Sequence, residues 1–261
     1  MTLSFQSLRS GSSGNCLLLR AGMTTLLIDA GFGSMRECRQ VLGGMLPSID
    51  GVVISHLHSD HIHHYALRVL EEHRVPVYVY EWDLQLLPGM HFRKSSFFGL
   101  QLRPFSARAF RVGNFTIRPF PLLHDGIRRT FGFEASALQR GKVRRIVTAT
   151  DFRDWRNLPG WFENADLIYV EANHDPELLQ RHPNRRSHYH LSNGECGRLL
   201  CHAFSTSKLL PRAVMLGHLS EIRNRPGLAR DTVLEILEGR GFDEIDLHVA
   251  PRYESSEAIE I

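Results

Sequence analysis

The feature of the sequence that most constrains the fold is a short apolar segment that leads directly into a cluster of histidines. Residues 51–55 read GVVIS, which is typical of a buried strand, and residues 55–64 read SHLHSDHIHH, with five histidines and one aspartate. Polar side chains at the exit of a buried strand collect at one edge of a layered α/β fold, where active sites form. The chain therefore has to fold so that this edge carries a polar site.

The spacing within the cluster predicts metal binding. His56 and His58 are two residues apart, so on an extended segment their side chains point to the same side and can reach one ion. Asp60 and His61 follow where the chain is expected to turn into a helix, and they can face a second ion. Imidazole and carboxylate ligands suit zinc, manganese or iron. We set aside a solvated polar loop because four potential ligands fall within six residues.

One stretch cannot complete two metal sites, so further ligands have to come from other strand ends. His124 follows the apolar residues PLL, Asp151 follows IVTAT, and His218 follows VMLG. Each is a ligand-type side chain at the point where a buried strand is expected to become a loop. These three residues are the candidates to complete the metal site.

The order of apolar segments predicts an α/β fold in one domain, residues 1–261, with mixed sheets and helices outside them. A helix is predicted from Ser34, as its cap, to Leu42, and another after the cap residue Ser192. Residues 88–99 read as a loop or cover element. No segment approaches the roughly 20 apolar residues of a membrane span, and a cytoplasmic protein without a membrane partner is expected.

Four cysteines lack a CxxC spacing and are expected to be buried free thiols of a reducing compartment: Cys16, Cys38, Cys196 and Cys201. The oligomeric state stays open.

Together the motifs resemble the metallo-β-lactamase fold superfamily. HLHSDH carries its HxHxDH signature, and Asp29 in LLIDAG, His124, Asp151 and His218 match its other motifs in chain order. The segments LRSGSSGNCLLL, EANHDPELL, HLSN and GHLSEIRNRPGLA resemble the YycJ/WalJ branch of 5′→3′ DNA exonucleases and related phosphodiesterases. The resemblance covers nearly the whole chain and implies a four-layer αββα sandwich with a two-metal site at one edge of the sheets.

The resemblance also implies the ligand set and the cofactors, two divalent ions of Zn or Mn, with Fe possible. One ion would be held by His56, His58 and His124. The second would be held by Asp60, His61 and His218, with Asp151 bridging both and Asp29 orienting the histidine loop without binding metal. The expected reaction is attack by a hydroxide, shared by the two ions, on a phosphodiester.

The leaving oxygen of such a reaction needs a proton, and His190 is the expected donor. It follows the polar segment RHPNRRSHYH and precedes a helix start, although an ordinary histidine before a helix cap would look the same. Asp60 and His190 are therefore the expected catalytic residues. His188 is the alternative donor or a phosphate contact. His174 is expected to contact the residues that form the site, without binding metal or substrate itself.

Two further features suit a phosphate-bearing substrate. Residues 10–15, SGSSGN, can cradle a phosphate through Ser12, Ser13 and Asn15, although a tight β-turn is equally compatible. The net charge is only +3, but 28 of the 31 basic Lys and Arg residues are arginine. Several of these arginines adjoin His124, His190 and His218, with Arg186 the preferred phosphate contact: Arg128, Arg129, Arg181, Arg185, Arg186, Arg223 and Arg225.

The leading hypothesis is a two-metal phosphodiesterase, and within that class a 5′→3′ DNA exonuclease whose partner is DNA or another phosphodiester. A hydrolase of cyclic phosphodiesters or lactones remains an alternative on the same residues. A di-iron redox protein is a third hypothesis, and a binding module with a degraded site is disfavoured because the full ligand set is present.

Overall fold

Two seven-stranded β-sheets form the centre of the structure, a computed structural model that describes residues 2–93, 95–126 and 129–261. The sheet orders are β14-β1-β2-β3-β4-β5-β6 and β13-β12-β11-β10-β9-β8-β7. In chain order the strands are β1 (Leu3–Arg9), β2 (Cys16–Ala21), β3 (Thr24–Ile28), β4 (Ile49–Val53), β5 (Pro76–Tyr80), β6 (Gln101–Phe105), β7 (Phe110–Val112), β8 (Phe115–Leu122), β9 (Thr130–Gln139), β10 (Lys142–Ala149), β11 (Leu167–Glu171), β12 (Ala213–Gly217), β13 (Leu247–Val249) and β14 (Ile259–Glu260).

Each sheet joins an antiparallel part to a parallel part. Strands β3 to β6 run parallel to one another, as do β10 to β13, whereas the remaining neighbours are antiparallel. In the parallel parts Ile28 lies opposite Val53, and Glu171 lies opposite Gly217. Because the carboxyl ends of parallel strands meet at one edge of a sheet, the residues that follow these strands are brought together.

Helices cover the outer face of both sheets. Helices α1 and α2 pack on the first sheet, and α4, α6 and α7 pack on the second, which confirms the predicted four-layer αββα sandwich. The helices are α1 (Met35–Leu42), α2 (His64–Glu72), α3 (Leu87–His91), α4 (Pro159–Phe162), α5 (Pro176–Arg181), α6 (Asn193–Thr206) and α7 (Pro226–Glu238). Within the described ranges, none of them is long and apolar enough to cross a bilayer.

The alternation of side chains along the strands produces three apolar layers. On β8, Phe115 and Ile117 face the other sheet, whereas Phe120 and Leu122 face the helices α4 and α6. Phe120 is fully buried, and truncating such a phenylalanine to alanine costs about 3–5 kcal/mol. Packing on both faces of the sheets fixes the positions of the strand ends, and therefore of the site.

The predicted helix starts are confirmed, whereas residues 88–99 are partly helical. Ser34 Oγ accepts a hydrogen bond from Glu37 N, and Ser192 forms a reciprocal capping box with Glu195. The short helix α3 begins at Leu87 instead of a loop, because Pro88 suits the first turn of a helix and the Leu87 side chain is buried against the first sheet.

Candidate metal centre and catalytic cleft

Three of the candidate residues follow strand ends in a left-handed backbone conformation. Asp29 follows β3 with φ 64°, Asp151 lies just after β10 with φ 61°, and His218 follows β12 with φ 54°. A residue held in this region costs about 1–3 kcal/mol unless its side chain tolerates it, and aspartate and histidine are among the more tolerant types. The sharp turn at each strand end directs the three side chains into one site.

The histidine loop is bound to the first sheet through its backbone. Asp60 O accepts a hydrogen bond from Asn15 N at 2.7 Å, and His61 O accepts one from Ala30 N at 2.7 Å. At Gly31 the two segments approach so closely that a Cβ atom would lie 1.8 Å from Asp60 O. Only glycine fits there, so the sequence LLIDAGFG is needed to hold the loop in place.

The first ligand cluster contains His56, His58, His124 and Asp151, whose ligand atoms lie within 4.8 Å of one another. His56 Nε2 is 2.8 Å from His58 Nδ1, and His124 Nε2 is 3.6 Å from Asp151 Oδ1. The structure therefore brings the three residues expected to hold one ion, His56, His58 and His124, together with Asp151, the expected bridge between the two ions.

The second cluster contains Asp60, His61 and His218, and it also meets Asp151. Asp60 Oδ2 lies 3.5 Å from His61 Nε2 and 3.4 Å from His218 Nε2. Asp151 Oδ2 lies 2.9 Å from His61 Nε2 and 3.5 Å from His218 Nε2. Asp151 thus stands between the two clusters, with one carboxylate oxygen toward each.

Polar partners hold the ring nitrogens on the far side from the cluster centre. As a result the Nε2 atoms of four histidines, His56, His61, His124 and His218, face the site. Histidine ligands of metals are oriented by partners of this kind. The Nδ1 partners are Ser55 Oγ for His56 at 3.1 Å, Asp29 Oδ2 for His61 at 2.7 Å, Tyr189 O for His124 at 3.1 Å and Glu171 Oε2 for His218 at 2.9 Å.

Several observations indicate that the two clusters fit divalent cations. Asp151 Oδ2 is buried, and the imidazole nitrogens of His61 and His218 lie 2.9 and 3.5 Å from it, so the lone pairs of three potential ligands converge on one point. His56 is 2% exposed, and burial lowers the pKa of its imidazole, which keeps a lone pair available for a metal. Carboxylate and imidazole ligands in this number suit Zn, Mn or Fe.

The carboxylates dominate the electrostatics of the second cluster. Burial alone would lower the pKa of His218, but Asp151, Asp60 and Glu171 outweigh burial and raise it to about 10. Burial would also lower the pKa of His61, and there Asp151, Asp29 and Asp60 raise it. The site therefore presents a net negative field that favours a cation.

Glu171, which the sequence interpretation overlooked, connects the two halves of the site. It ends β11, is fully buried, and accepts hydrogen bonds from Asp151 N at 3.0 Å and Leu191 N at 2.8 Å. Its Oε2 also lies 2.9 Å from Nδ1 of both His190 and His218. Burial would raise the pKa of Glu171, but the two imidazoles lower it to about 2. A carboxylate at the end of the otherwise apolar strand LIYVE was the available signal.

The two expected catalytic residues both line one cleft with a volume of about 590 Å³. The His190 side chain is 15% exposed, and its ring lies 5.0 Å from the ring of His124 and 5.3 Å from that of His218. Burial lowers the pKa of His190, but Glu171 and Asp151 outweigh burial and raise it. The Asp60 side chain is 21% exposed. Predicted phosphate contacts that also line the cleft are Ser12 and Arg186.

The other predicted phosphate contacts lie elsewhere. Asn15 is buried and its amide is used within the protein: Nδ2 donates to Gly11 O and Asp60 O, and Oδ1 accepts from Gly11 N. It therefore closes the SGSSGN turn and supports Asp60. Ser13 is exposed within this turn and does not line the cleft.

His188 and His174 also lie outside the cleft lining. His188 is exposed on the 3₁₀ helix Arg185–Tyr189, of which Arg186, Ser187 and Tyr189 line the cleft and His188 does not. His174 is 7% exposed beside Ser192, and its Nδ1 has no hydrogen-bond partner within the described ranges. Burial lowers the pKa of His174, so it packs as a neutral ring.

The arginines near the site fall into separate groups. Arg186 and Arg223 line the cleft, and Arg223 Nε also donates to His182 O at 2.6 Å. Arg129 lines a neighbouring cavity instead. The remaining predicted arginines are Arg181, Arg185 and Arg225, which do not line the cleft, and Arg128, which lies outside the described residues.

A four-layer sandwich with two ligand clusters around a shared aspartate defines a metal-dependent hydrolase with a metallo-β-lactamase fold. The family model described as the beta-lactamase superfamily domain matches residues 24–218, and the chain belongs to this family.

Individual relatives cover almost the whole chain. The exodeoxyribonuclease YycJ of Bacillus anthracis is 27% identical over 257 residues, which cover 93% of this chain and 92% of that protein. The exodeoxyribonuclease WalJ of Streptococcus pneumoniae serotype 2 is 26% identical over 249 residues, which cover 89% and 87%. The crystal structure of the metallo-β-lactamase fold protein YhfI from Bacillus subtilis matches with a TM-score of 0.74 at 18% identity and covers 100% of both chains, which shows the shared fold.

Proposed function

We propose that the chain is a two-metal phosphodiesterase that degrades DNA from its 5′ end. The observation that carries the proposal is the position of Asp151. Its Oδ1 faces His124 in the first ligand cluster, and its Oδ2 faces His61 and His218 in the second. One carboxylate between two sets of imidazoles is suited to two ions that act on the same phosphate.

In this proposal His56, His58, His124 and Asp151 hold one ion, and Asp60, His61, His218 and Asp151 hold the other. Zn and Mn are the preferred ions, and Fe suits the same ligands. When bound, two such ions polarise phosphoryl oxygens and supply hydroxide near neutral pH. Asp29 contributes by fixing the His61 ring at 2.7 Å, so that Nε2 stays directed at the site.

His190 is proposed to protonate the oxygen that leaves phosphorus. Its Nδ1 is held at 2.9 Å by Glu171, which leaves Nε2 available at the cleft. Glu171 and Asp151 raise the pKa of His190, which favours the protonated ring that a general acid requires. Asp60 contributes as a metal ligand, with its Oδ2 3.4 Å from His218 Nε2.

The rim of the cleft supports an anionic polymer as the substrate. Arg186 and Arg223 offer planar guanidinium groups that pair with phosphate oxygens, and Ser12 adds a hydroxyl. The relatives of similar length in two bacteria are named exodeoxyribonucleases, which favours DNA over other phosphodiesters. Polarity from the 5′ end follows the resemblance to the YycJ/WalJ branch.

A small phosphodiester is the second candidate substrate, and the size of the cleft favours it. A volume of about 590 Å³ falls within the range of small-molecule sites, roughly 300–1,000 Å³. A cyclic phosphodiester would use the same two ions and the same arginines.

Residues 1–261 are proposed to act as one hydrolase domain in the cytoplasm. The ligand set supports a single domain, because His56 follows a strand of the first sheet and His218 follows one of the second. Three of the four free cysteines are buried, which suits a reducing compartment.

The test is a nuclease assay with Mn²⁺ or Zn²⁺ on 5′- and 3′-labelled DNA, beside bis-p-nitrophenyl phosphate. We expect stepwise release of nucleotides from the 5′ end, its loss in His58→Ala, and full activity in the control His73→Ala, which changes an exposed histidine at the end of α2. Turnover of the small diester with intact DNA would replace the exonuclease by the small-substrate alternative. Inactivity on both, with metal bound, would reject the phosphodiesterase.

A further inference from the structure

A second cavity, of about 560 Å³, adjoins the catalytic cleft and shares His124 with it. It opens between the ends of β5, β8 and β9. Because His124 belongs to the first ligand cluster and lines both spaces, the cavity is directly next to that cluster. The residues that give it its chemistry are Tyr80, Asp83, Pro121, Arg129, Thr130 and Phe131.

The walls of this cavity suit a flat ring. The Tyr80 and Phe131 rings lie 4.7 Å apart, and Pro121 completes an apolar surface beside them. At the entrance the Arg129 guanidinium lies over two rings, 4.7 Å from the centre of Trp82 and 5.5 Å from that of Tyr80. Aromatic and guanidinium planes of this kind stack on nucleobases.

Two polar side chains of the cavity make no hydrogen bond to another residue within 2–93, 95–126 and 129–261. The Asp83 side chain is 4% exposed and makes no hydrogen bond within the described part of the chain, and burial raises its pKa against the opposing effect of Arg129. Thr130 is 1% exposed, and its Oγ1 has no hydrogen-bond partner among the described residues. Buried polar groups are nearly always bonded, so this pair indicates a ligand that supplies N–H groups.

We propose that this cavity binds a nucleobase that carries an exocyclic amino group, in the nucleotide next to the phosphodiester held in the cleft. Asp83 accepts hydrogen bonds from the amino group, Thr130 bonds a neighbouring ring atom, and Tyr80, Phe131 and Pro121 form the apolar wall on one side of the base. Thymine lacks an exocyclic amino group and leaves Asp83 less well bonded. The inference rests on the proposed function only for DNA as the source of the base.

The first test measures binding of free deoxynucleosides to the full chain by saturation-transfer NMR. Deoxynucleosides contain no phosphodiester, so their binding does not depend on hydrolysis. We expect deoxyadenosine, deoxycytidine and deoxyguanosine to bind about fivefold or more tightly than thymidine. Asp83→Asn should remove most of this difference, and Asp231→Asn, which changes an exposed carboxylate on α7, should keep it. Equal binding of all four nucleosides, or no binding, would overturn the inference.

A second variant separates binding from folding. Thr130→Val removes a buried hydroxyl that no described residue hydrogen-bonds, so we expect weaker nucleoside binding with an unchanged or higher Tm. A lower Tm together with unchanged nucleoside binding would show that the Thr130 hydroxyl stabilises the fold and does not bond the nucleobase.

DNA cleavage distinguishes this inference from the proposed function. Cleavage that is slower on thymine tracts in wild type, and equalised in Asp83→Asn, supports both. Cleavage without any base preference or nucleoside binding overturns the nucleobase site and leaves the exonuclease standing. Nucleoside binding with intact DNA overturns DNA as the source of the base, together with the exonuclease proposal.

Discussion

His190 and His218 share one carboxylate, because the Nδ1 atoms of both rings lie 2.9 Å from Glu171 Oε2. A proposed proton donor and a proposed metal ligand are thereby fixed by the same buried side chain. The strand pairing explains how this arises, since Glu171 ends β11 opposite Gly217, the residue before His218. Metal binding and proton donation are therefore expected to depend on each other.

Removing the proton donor should affect substrates according to their leaving group. We expect His190→Ala to lower kcat on DNA by about 10²-fold, since a positioned general acid contributes at least this much. Bis-p-nitrophenyl phosphate should lose much less, because nitrophenolate leaves without a proton. Steady-state kinetics on both substrates with matched metal content measure the ratio. Equal losses on the two substrates would show that His190 does not donate the proton.

Neutralising the Glu171 carboxylate should impair both proton donation by His190 and metal binding. Glu171→Gln removes the negative charge that raises the pKa of His190, so the His190 imidazolium loses its proton at a lower pH. The alkaline limb of the plot of kcat against pH should therefore shift to lower pH. The same change should weaken metal binding by about 10- to 100-fold. Metal analysis and pH–rate profiles of Glu171→Gln and of the exposed control Glu177→Gln measure these effects. An unmoved pH profile would contradict the pairing with His190.

Asp29 should act on metal affinity without touching the ion. Asp29→Asn keeps the shape of the side chain but loses the carboxylate held at 2.7 Å from His61 Nδ1, and we expect a metal affinity lower by about 10- to 100-fold. Activity should recover when excess metal is added, because the ligands themselves remain. Metal titrations followed by thermal unfolding measure the shift. Failure of excess Mn²⁺ or Zn²⁺ to restore activity would contradict a purely orienting role.

The buried cysteine of α1 should make the protein less stable at alkaline pH. Burial raises the pKa of Cys38 to about 12 from an ordinary value of 9.0, so the unfolded chain loses this proton before the folded chain does. The contribution is fully present below pH 9 and is lost between pH 9 and 12, by up to about 4 kcal/mol. Urea unfolding of wild type and Cys38→Ala at pH 8 and 10 measures the difference. Parallel losses of stability in both proteins would contradict the prediction.

Local sequence patterns were sufficient for the parts of the site that lie next to strand ends. The apolar segments before His56, Asp151 and His218 fixed where each side chain would leave a sheet, and Ser192 marked the start of α6. Glu171 was not predicted, because its role depends on the order β10-β11-β12, which no local pattern contains.

Long-range contacts also account for the other differences between sequence and structure. Asn15 was assigned to the substrate, but the approach of the histidine loop to the SGSSGN turn uses its amide within the protein. The cavity around Asp83 and Thr130 combines residues far apart in the chain, and it required the pairing of β8 with β9 and the packing of the two sheets.

A titration of metal-free protein with Mn²⁺, with release of the 5′ label from DNA followed at each step, tests the central claim most directly. We predict that cleavage appears as the second ion binds, and that Asp151→Asn prevents cleavage at every metal concentration. Full activity with one ion per chain, or two bound ions with intact DNA, would contradict it.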